Sequence, residues 1–154
     1  MMEFLLFLSA KDKEILDLVY KANFTAEENT PLCLLGKKFF GFLKKEQRTV
    51  VICTKNAKSY GGYMFAKGPK SDGSFKTGLM VRRALRHESV HIAQECNGGN
   101  QIYQGKKSMK INSYKLNALE GSTKLTGERK KEIEAYALED RPRKVISLLK
   151  EFCF

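Results

Sequence analysis

The sequence predicts an α+β fold, in which a small, mostly antiparallel sheet packs on one long helix and C-terminal helices close the other side. Three observations lead to this prediction. Strand-like segments are concentrated between residues 32 and 66, and helical periodicity dominates from residue 77 onward. The third observation is size, because 154 residues with 42% hydrophobic and 29% charged content describe one globular domain, residues 1–154, with a core.

The N-terminal part is expected to begin with a core segment and a helix. Phe4–Leu8 is a short apolar run, which we expect to belong to the first helix or strand. A truncated signal peptide is the alternative, but the basic start and the length of such a signal are missing. Lys11–Ala22 has the spacing of an amphipathic helix, and Asn23–Pro31 is a polar loop. The helix is expected to turn four apolar side chains inward: Ile15, Leu16, Leu18 and Val19.

The sheet is expected to follow this loop. Leu32–Leu43 is apolar and aromatic, although two glycines interrupt it. It predicts a strand that pairs, through a turn at Lys44–Gln47, with the β-branched segment Thr49–Thr54. Tyr60–Ala66 is a third candidate strand, and Lys67–Ser74 is a loop rich in Gly, Pro and Ser.

The longest helix is predicted from Thr77 to Cys96, with Thr77 as a possible N-cap. Asn97–Asn100 reads Asn-Gly-Gly-Asn, which ends a helix sharply. One stripe of this helix carries both histidines and borders a largely apolar stripe, as a half-buried helix requires. The histidine stripe consists of Ala84, His87, His91 and Gln94, and the largely apolar stripe of Val81, Leu85, Glu88 and Ile92.

The C-terminal third is predicted to be helical after a poorly defined stretch. Gln101–Thr126 is polar, with a short helix at Tyr114–Leu119 if Ser113 caps it. Gly127–Asp140 contains a second clear helix. A third helix, Arg143–Cys153, opens on the proline that precedes it.

The charge balance bears on possible partners. The net charge is +11, from 28 Lys and Arg against 17 Asp and Glu. Such an excess permits binding to nucleic acid or another polyanion. The basic residues are dispersed, however, and no helix-turn-helix or RNP-type signature accompanies them. A solvated basic surface is therefore the preferred interpretation.

The cysteine spacing bears on the compartment. Four cysteines without CxxC spacing exclude a zinc ribbon and predict reduced, buried thiols in a cytoplasmic protein. Cys96, at the end of the long helix, could approach Cys53 or Cys153, but the sequence does not determine a pairing. The chain has no run of 18 apolar residues, so we expect no transmembrane helix.

Both histidines of the chain lie in one short motif, His87-Glu88-Ser89-Val90-His91, which is the HExxH pattern of zinc hydrolases. Residues four apart project from the same face of a helix, so both imidazoles can reach one tetrahedral zinc ion. Glu88 lies about 100° further round the helix than His87. It is therefore expected to act on a water as general base and not to bind the metal. A surface helix with two polar histidines is the alternative.

A third protein ligand is required, because two histidines do not complete a zinc site. No histidine remains, so the ligand must be a carboxylate or a thiolate. The helix after Gly127 offers glutamates on one face together with Ala135, whose small side chain allows close packing on the histidine helix. A solvated helix whose glutamates balance nearby lysines is the alternative. The shared face consists of Glu132, Ala135, Tyr136 and Glu139.

These motifs resemble those of gluzincin metallopeptidases, in which a glutamate on a later helix follows HExxH as the third ligand. The local likeness is to HtpX-like peptidases and to short bacterial and phage zincin domains, whose second motif is E-x-x-A-D or E-x-x-A-N. Residues 132–136 match through the alanine. The resemblance implies a zincin-like fold with Glu132 as the ligand and Glu134 as the alternative register. Tyr136 replaces the Asp or Asn that often orients a ligand histidine.

A weaker likeness lies upstream. Asn56–Tyr63 is similar to the N-A-x-x-x-G stretch on the edge strand of HtpX-like enzymes. The resemblance implies an edge strand beside the substrate cleft, where an extended peptide could pair by β-augmentation. An ordinary Gly-Gly hairpin turn is the alternative.

The sequence thus predicts a zinc-dependent metallopeptidase acting on a peptide or protein substrate. His87, His91 and Glu132 would hold Zn²⁺, and Glu88 would activate water. The alternative is a non-enzymatic basic protein that binds protein or nucleic acid on a zincin-like fold. An oxyanion donor is also expected, and five tyrosines are candidates: Tyr60, Tyr63, Tyr103, Tyr114 and Tyr136.

Overall fold

The structure is a computed structural model that describes residues 1–62, 72–103 and 111–154, without the side chains of residues 72–74 and Tyr114. The described residues form an α+β fold with six α-helices and a three-stranded sheet. The helices are α1 (Ala10–Lys21), α2 (Thr54–Gly61), α3 (Asp72–Cys96), α4 (Ser113–Thr126), α5 (Arg129–Leu138) and α6 (Pro142–Cys153). The strands are β1 (Thr25–Glu28), β2 (Gly41–Lys44) and β3 (Thr49–Ile52).

The N-terminal segments form as their apolar spacing predicts. Phe4 is fully buried in a short 3₁₀ helix, Glu3–Phe7, which confirms a core segment. Helix α1 begins with a capping box between Ser9 and Asp12, and its four predicted inward side chains are buried. Asp12 also accepts two hydrogen bonds from Arg86 of α3, at 2.8 and 3.2 Å. This buried ion pair ties α1 to the helix that carries both histidines.

The sheet has mixed pairing in the order β1-β3-β2, so the prediction of a mostly antiparallel sheet is wrong. β2 and β3 form the predicted antiparallel hairpin, with Gly41 opposite Ile52. β1 pairs in parallel with β3 and occupies part of the predicted loop Asn23–Pro31. β1 has a polar sequence like that of a loop because it is an edge strand, and among the described residues only β3 pairs with it. In contrast, all four residues of the central strand β3 are buried.

The segment before β2 departs from the prediction of one strand at Leu32–Leu43. Pro31–Leu35 is a 3₁₀ helix, and only Gly41–Lys44 enters the sheet. Asn56 of α2 holds the intervening loop, since its side-chain amide donates hydrogen bonds to the carbonyl groups of Cys33, Gly36 and Phe39. These bonds replace strand pairing as the support for the loop.

Helix α2 overturns two further predictions. The start of the candidate strand Tyr60–Ala66 and nearly all of the proposed edge-strand motif Asn56–Tyr63 are helical. Gly62, with φ of 70°, forms the left-handed cap that ends the helix, which explains why the Gly-Gly pair resembled a hairpin turn. Residues 63–71, including most of the predicted loop Lys67–Ser74, lie outside the described residues.

Helix α3 is longer than predicted at its N-terminal end. Thr77 is a buried interior residue, not an N-cap, and its hydroxyl donates to the carbonyl of Ala57 at 3.3 Å. The predicted end after Cys96 is confirmed, because Gly98 and Gly99 take φ values of 70° and 82°. Val81, Leu85 and Ile92 of this helix are fully buried at the centre of the main core cluster.

The C-terminal helices are largely as predicted. Helix α4 spans all of Ser113–Thr126, and the side chain of Asn112, not of Ser113, caps it. It is twice as long as expected because its exposed face leaves little apolar periodicity. Helix α6 begins with Pro142 at its first turn, as predicted. Among the described helices, none combines the length and the apolar character needed to span a membrane.

The prediction of reduced thiols is wrong. The cysteines form two disulfides, Cys33–Cys53 and Cys96–Cys153. Partners 20 and 57 residues apart in sequence leave no local spacing signal. Disulfides persist in oxidising compartments, so the cysteines no longer support a cytoplasmic location. The second bridge joins the end of α3 to the end of α6.

Candidate metal centre

Helix α3 presents His87 and His91 on one buried face, one turn apart. Their ring centroids are 5.0 Å apart. The face is buried because α5 packs against it, with the fully buried Ala135 in the interface region. The small side chain therefore stands where close packing of the two helices was predicted.

Helix α5 brings Glu132 to both histidines. His91 Nε2 lies 2.6 Å from Glu132 Oε2, and His87 Nε2 lies 3.2 Å from Glu132 Oε1. One ligand atom from each of the three residues lies within 4.8 Å of the other two. Two imidazole nitrogens and one carboxylate oxygen form the donor set of many catalytic zinc sites. The donor chemistry therefore fits a metal ion, and the group could hold one.

Glu134, the alternative register, points elsewhere. Its carboxylate accepts hydrogen bonds from the backbone amides of Ile102 and Tyr103, at 2.7 and 3.0 Å, and from Gln94 Nε2 at 2.9 Å. Glu134 therefore anchors the chain that follows α3, and it does not join the histidine cluster. The geometry favours Glu132 as the carboxylate that faces both rings.

Hydrogen bonds at Nδ1 fix which nitrogen of each ring faces Glu132. Because the amide nitrogen of Gln94 donates to Glu134, its oxygen faces His91 and accepts from His91 Nδ1 at 2.7 Å. His87 Nδ1 donates to Glu139 Oε1 at 3.3 Å. In both rings the Nδ1 position is thus occupied by an outer partner. Each Nε2 is left facing the centre, an arrangement in which the outer contacts orient a metal-binding histidine.

Glu139, and not the residue at position 136, makes the outer hydrogen bond to His87. Glu139 shares a helix face with Glu132 in the sequence pattern, but that pattern gives it no role. Tyr136 instead packs edge-on against the ring of His87, with centroids 4.4 Å apart. Its hydroxyl donates to the carbonyl of Ala118 at 3.1 Å and shares a hydrogen bond with the Ser122 hydroxyl.

The electrostatics of the cluster follow from burial and close pairing. Burial alone would lower the pKa of His87, but hydrogen bonds to Glu132 and Glu139 outweigh it and raise the pKa well above 6.5. Burial likewise opposes ionisation of Glu132, yet its bonds to His87 and His91 lower its pKa far below the ordinary range. Burial and close pairing thus favour a positive charge on His87 and a negative charge on Glu132.

Glu88 lies beside the cluster but outside the three-residue group. It is buried and lines a cleft, together with His87. Burial raises the pKa of Glu88, although the nearby His87 and His91 act in the opposite direction. A carboxylate with a raised pKa is a stronger base, so its position and its environment both suit proton transfer.

The cleft has a volume of about 530 Å³. Its lining comes from the loop before β2, from Gly41 of β2 and from helices α2 to α5, so the cleft lies against the part of α3 that carries His87 and Glu88. Two cations in the lining, Arg83 and Lys115, are bound by Asp140 at 2.7 and 2.8 Å. Both also lie 3.8 Å from Glu139. This cation pair could not be identified from the sequence, because its residues are far apart in the chain.

The orienting role of Glu139 leads to a testable prediction. Glu139→Ala should lower zinc affinity by about 10- to 100-fold, because His87 loses the acceptor that fixes its ring. Asp140→Ala is the matched control, since it also removes a carboxylate from Arg83 and Lys115 but does not touch His87. Competition with a chromogenic chelator measures both affinities. Equal losses in the two variants would contradict the assignment.

Gly41 leads to a prediction about stability. A Cβ at this position would lie 3.1 Å from Ala84 Cβ and 3.2 Å from Glu88 Cγ. Gly41→Ala should therefore reduce the free energy of unfolding by about 1–3 kcal/mol through overpacking. At Gly121 an added Cβ meets only Phe39, at 3.9 Å. Gly121→Ala, in a helix, should be neutral or stabilising, and urea denaturation compares the two. A neutral Gly41→Ala would show that β2 is not held against Glu88.

Residues 4–154 match the family described as a Domain of unknown function (DUF8637), and the chain belongs to this family. No curated protein and no solved structure matches it.

Proposed function

We propose that this member of the DUF8637 family is a zinc-dependent metallopeptidase with a zincin-like fold. In this proposal His87, His91 and Glu132 hold Zn²⁺, and Glu88 is the general base. One observation carries it: the Nε2 atoms of both histidines converge on the two oxygens of one buried carboxylate. The outer Nδ1 positions are held by Gln94 and Glu139.

The donor set supports zinc in preference to a hard cation. Mg²⁺ and Ca²⁺ favour oxygen ligands, whereas two imidazoles and one carboxylate are typical of catalytic zinc. Three protein ligands leave one position for water or substrate, and the cleft beside His87 provides the access. Gln94 and Glu139 contact the Nδ1 atoms of His91 and His87, and outer contacts of this kind orient histidine ligands in metal sites.

The chemistry assigns the central step to Glu88. When bound, the zinc ion would polarise the peptide carbonyl and lower the pKa of water beside it. Glu88 accepts a proton from the water molecule as the water oxygen attacks the carbonyl carbon. Glu88 then returns this proton to the peptide nitrogen as the carbon–nitrogen bond breaks. Glu88 lines the cleft together with His87, and this position supports both transfers.

The cleft narrows the choice of an oxyanion donor. Tyr60 and Tyr136 line it together with Glu88, and Tyr103 does not. Tyr63 and the side chain of Tyr114 lie outside the described residues. Two of the five candidate tyrosines therefore line the cleft, and Tyr136 would have to give up its hydrogen bond to Ala118 to act as the donor.

The alternative proposal is a non-enzymatic basic protein that binds protein or nucleic acid. Its support is the net charge of +11. However, the cations Arg83 and Lys115 beside the candidate centre are bound by carboxylates of the same chain. A polyanion would thus have to compete with Asp140 and Glu139 there. Binding to nucleic acid would be recognised by an affinity that falls steeply with salt.

The proposal is tested by peptide-library cleavage with the purified protein. Wild-type protein should cleave, chelation should abolish cleavage, and added zinc should restore it. Zinc-bound protein that cleaves no peptide would instead favour the binding protein. Cleavage that is unaffected by complete removal of zinc would contradict a metallopeptidase.

A further inference from the structure

We propose that the substrate presents a large apolar side chain, aromatic or long aliphatic, to the cleft beside Glu88. This inference rests on the proposed function, because it identifies the cleft as the site that receives a residue next to the cleaved bond. The cleft reaches both His87 and Glu88, so a side chain within it belongs to a residue close to the reacting carbonyl. Its volume of about 530 Å³ exceeds that of any single side chain and also accommodates neighbouring backbone.

One wall of the cleft is aromatic. Phe39, Phe40 and Tyr60 line it, from the loop before β2 and from α2. Phe40 and Tyr60 meet edge to face with centroids 5.5 Å apart, and Phe39 packs against Phe42 at the same centroid distance. These contacts hold the rings in place, so the wall is preformed for another apolar group.

The opposite wall is made of small residues. Ala118 and Gly121 of α4 lie three positions apart in the helix and both line the cleft. A Cβ on Gly121 would meet Phe39 at 3.9 Å, so this part of α4 faces the aromatic wall. Small side chains opposite aromatic rings leave the space that a large ligand side chain fills. Met80 and Ala84 of α3 add an apolar contribution from a third side.

The charges of the lining disfavour an acidic ligand side chain. Of the three cations in the lining, Arg83 and Lys115 are paired with Asp140 and lie close to Glu139, and Lys38 is exposed to solvent, where a charge contact contributes little. Glu88 is buried beside the cleft and would repel a second carboxylate. An apolar side chain needs no ionic partner, and it gains from contact with the aromatic wall.

The test uses peptides that differ in one residue on either side of the cleaved bond, with Phe, Leu, Ala or Asp at that position. On one side of the bond, kcat/KM of the zinc-loaded enzyme should be about 10- to 100-fold higher for Phe or Leu than for Ala or Asp. Ala118→Leu fills the cleft and should lower kcat/KM for the Phe peptide about 10-fold or more, with little change for the Ala peptide. Lys124→Leu adds the same side chain to an exposed position of α4 outside the cleft and should change neither.

The possible outcomes separate this inference from the proposed function. Cleavage without side-chain preference, or equal loss for all peptides in Ala118→Leu, would overturn the inference and leave the peptidase intact. If no peptide is cleaved, the proposed function fails, and binding of N-acetylphenylalanine amide and N-acetylalanine amide then tests the cleft by NMR. Preferential binding of the phenylalanine amide that Ala118→Leu removes would support the apolar site. Equal binding of both amides would overturn it.

Discussion

Glu88→Gln should abolish most peptide cleavage and leave zinc content unchanged. An amide cannot accept a proton from water near pH 7, and loss of a general base typically costs about 10²- to 10⁴-fold in rate. Glu88 is not part of the three-residue ligand group, so the metal should remain. The measurements are kcat with a cleaved library peptide and zinc per chain by atomic absorption.

Glu95→Gln is the matched control for this substitution. Glu95 lies on the same helix, but it is partly exposed and pairs with Lys45 on the surface. The control should keep both zinc and cleavage. A Glu88→Gln variant that cleaves at the wild-type rate would rule out Glu88 as the base. A variant that loses its zinc would indicate that Glu88 has a ligand role, and the assignment of the centre would have to be revised.

Glu132→Ala should reduce zinc affinity by more than about 100-fold, the upper range for groups that only orient a ligand. The substitution removes the carboxylate ligand of the three-residue group and leaves only the two buried imidazoles to bind the metal. Glu134→Ala should act mainly on folding, because the backbone amides of Ile102 and Tyr103 lose their acceptor. An unsatisfied buried donor costs about 1–3 kcal/mol of stability.

The two variants are compared by chelator competition and by urea denaturation of the metal-free proteins. Glu134→Gln provides a milder control, since its amide oxygen still accepts one of these hydrogen bonds. If Glu134→Ala loses zinc and Glu132→Ala keeps it, the register of the ligand on α5 is displaced by two residues. The helix assignment would survive, but the arrangement seen around Glu132 would not describe the bound state.

The parts of the fold that the sequence predicts well are those with strong local periodicity. The end of α3 at the glycines, the amphipathic helix α1 and the hairpin of β2 and β3 depend on neighbours within a few residues. Strand β1 could not be predicted, because it is a polar edge strand whose partner Thr49–Ile52 lies more than 20 residues away. The disulfides are equally non-local, with separations of 20 and 57 residues.

In the candidate site, too, local spacing identifies some residues, whereas others depend on how the helices pack. HExxH brings both histidines together through helix geometry alone, so they could be identified directly. Glu132 needed a resemblance to choose it from the glutamates of α5, because all are compatible with a surface helix. Glu139 could not be assigned, since its contact with His87 depends on how α5 packs against α3. A carboxylate seven residues after the candidate ligand, on the same face, was the available signal.

The central claim is a zinc centre formed by His87, His91 and Glu132. Metal analysis of wild-type protein, purified without chelators and then dialysed, tests it most directly. We expect close to one zinc ion per chain, and loss of that zinc in His91→Ala with the disulfide-linked fold retained, as judged by circular dichroism. Wild-type protein that is metal-free and takes up no zinc when zinc is supplied would contradict the account.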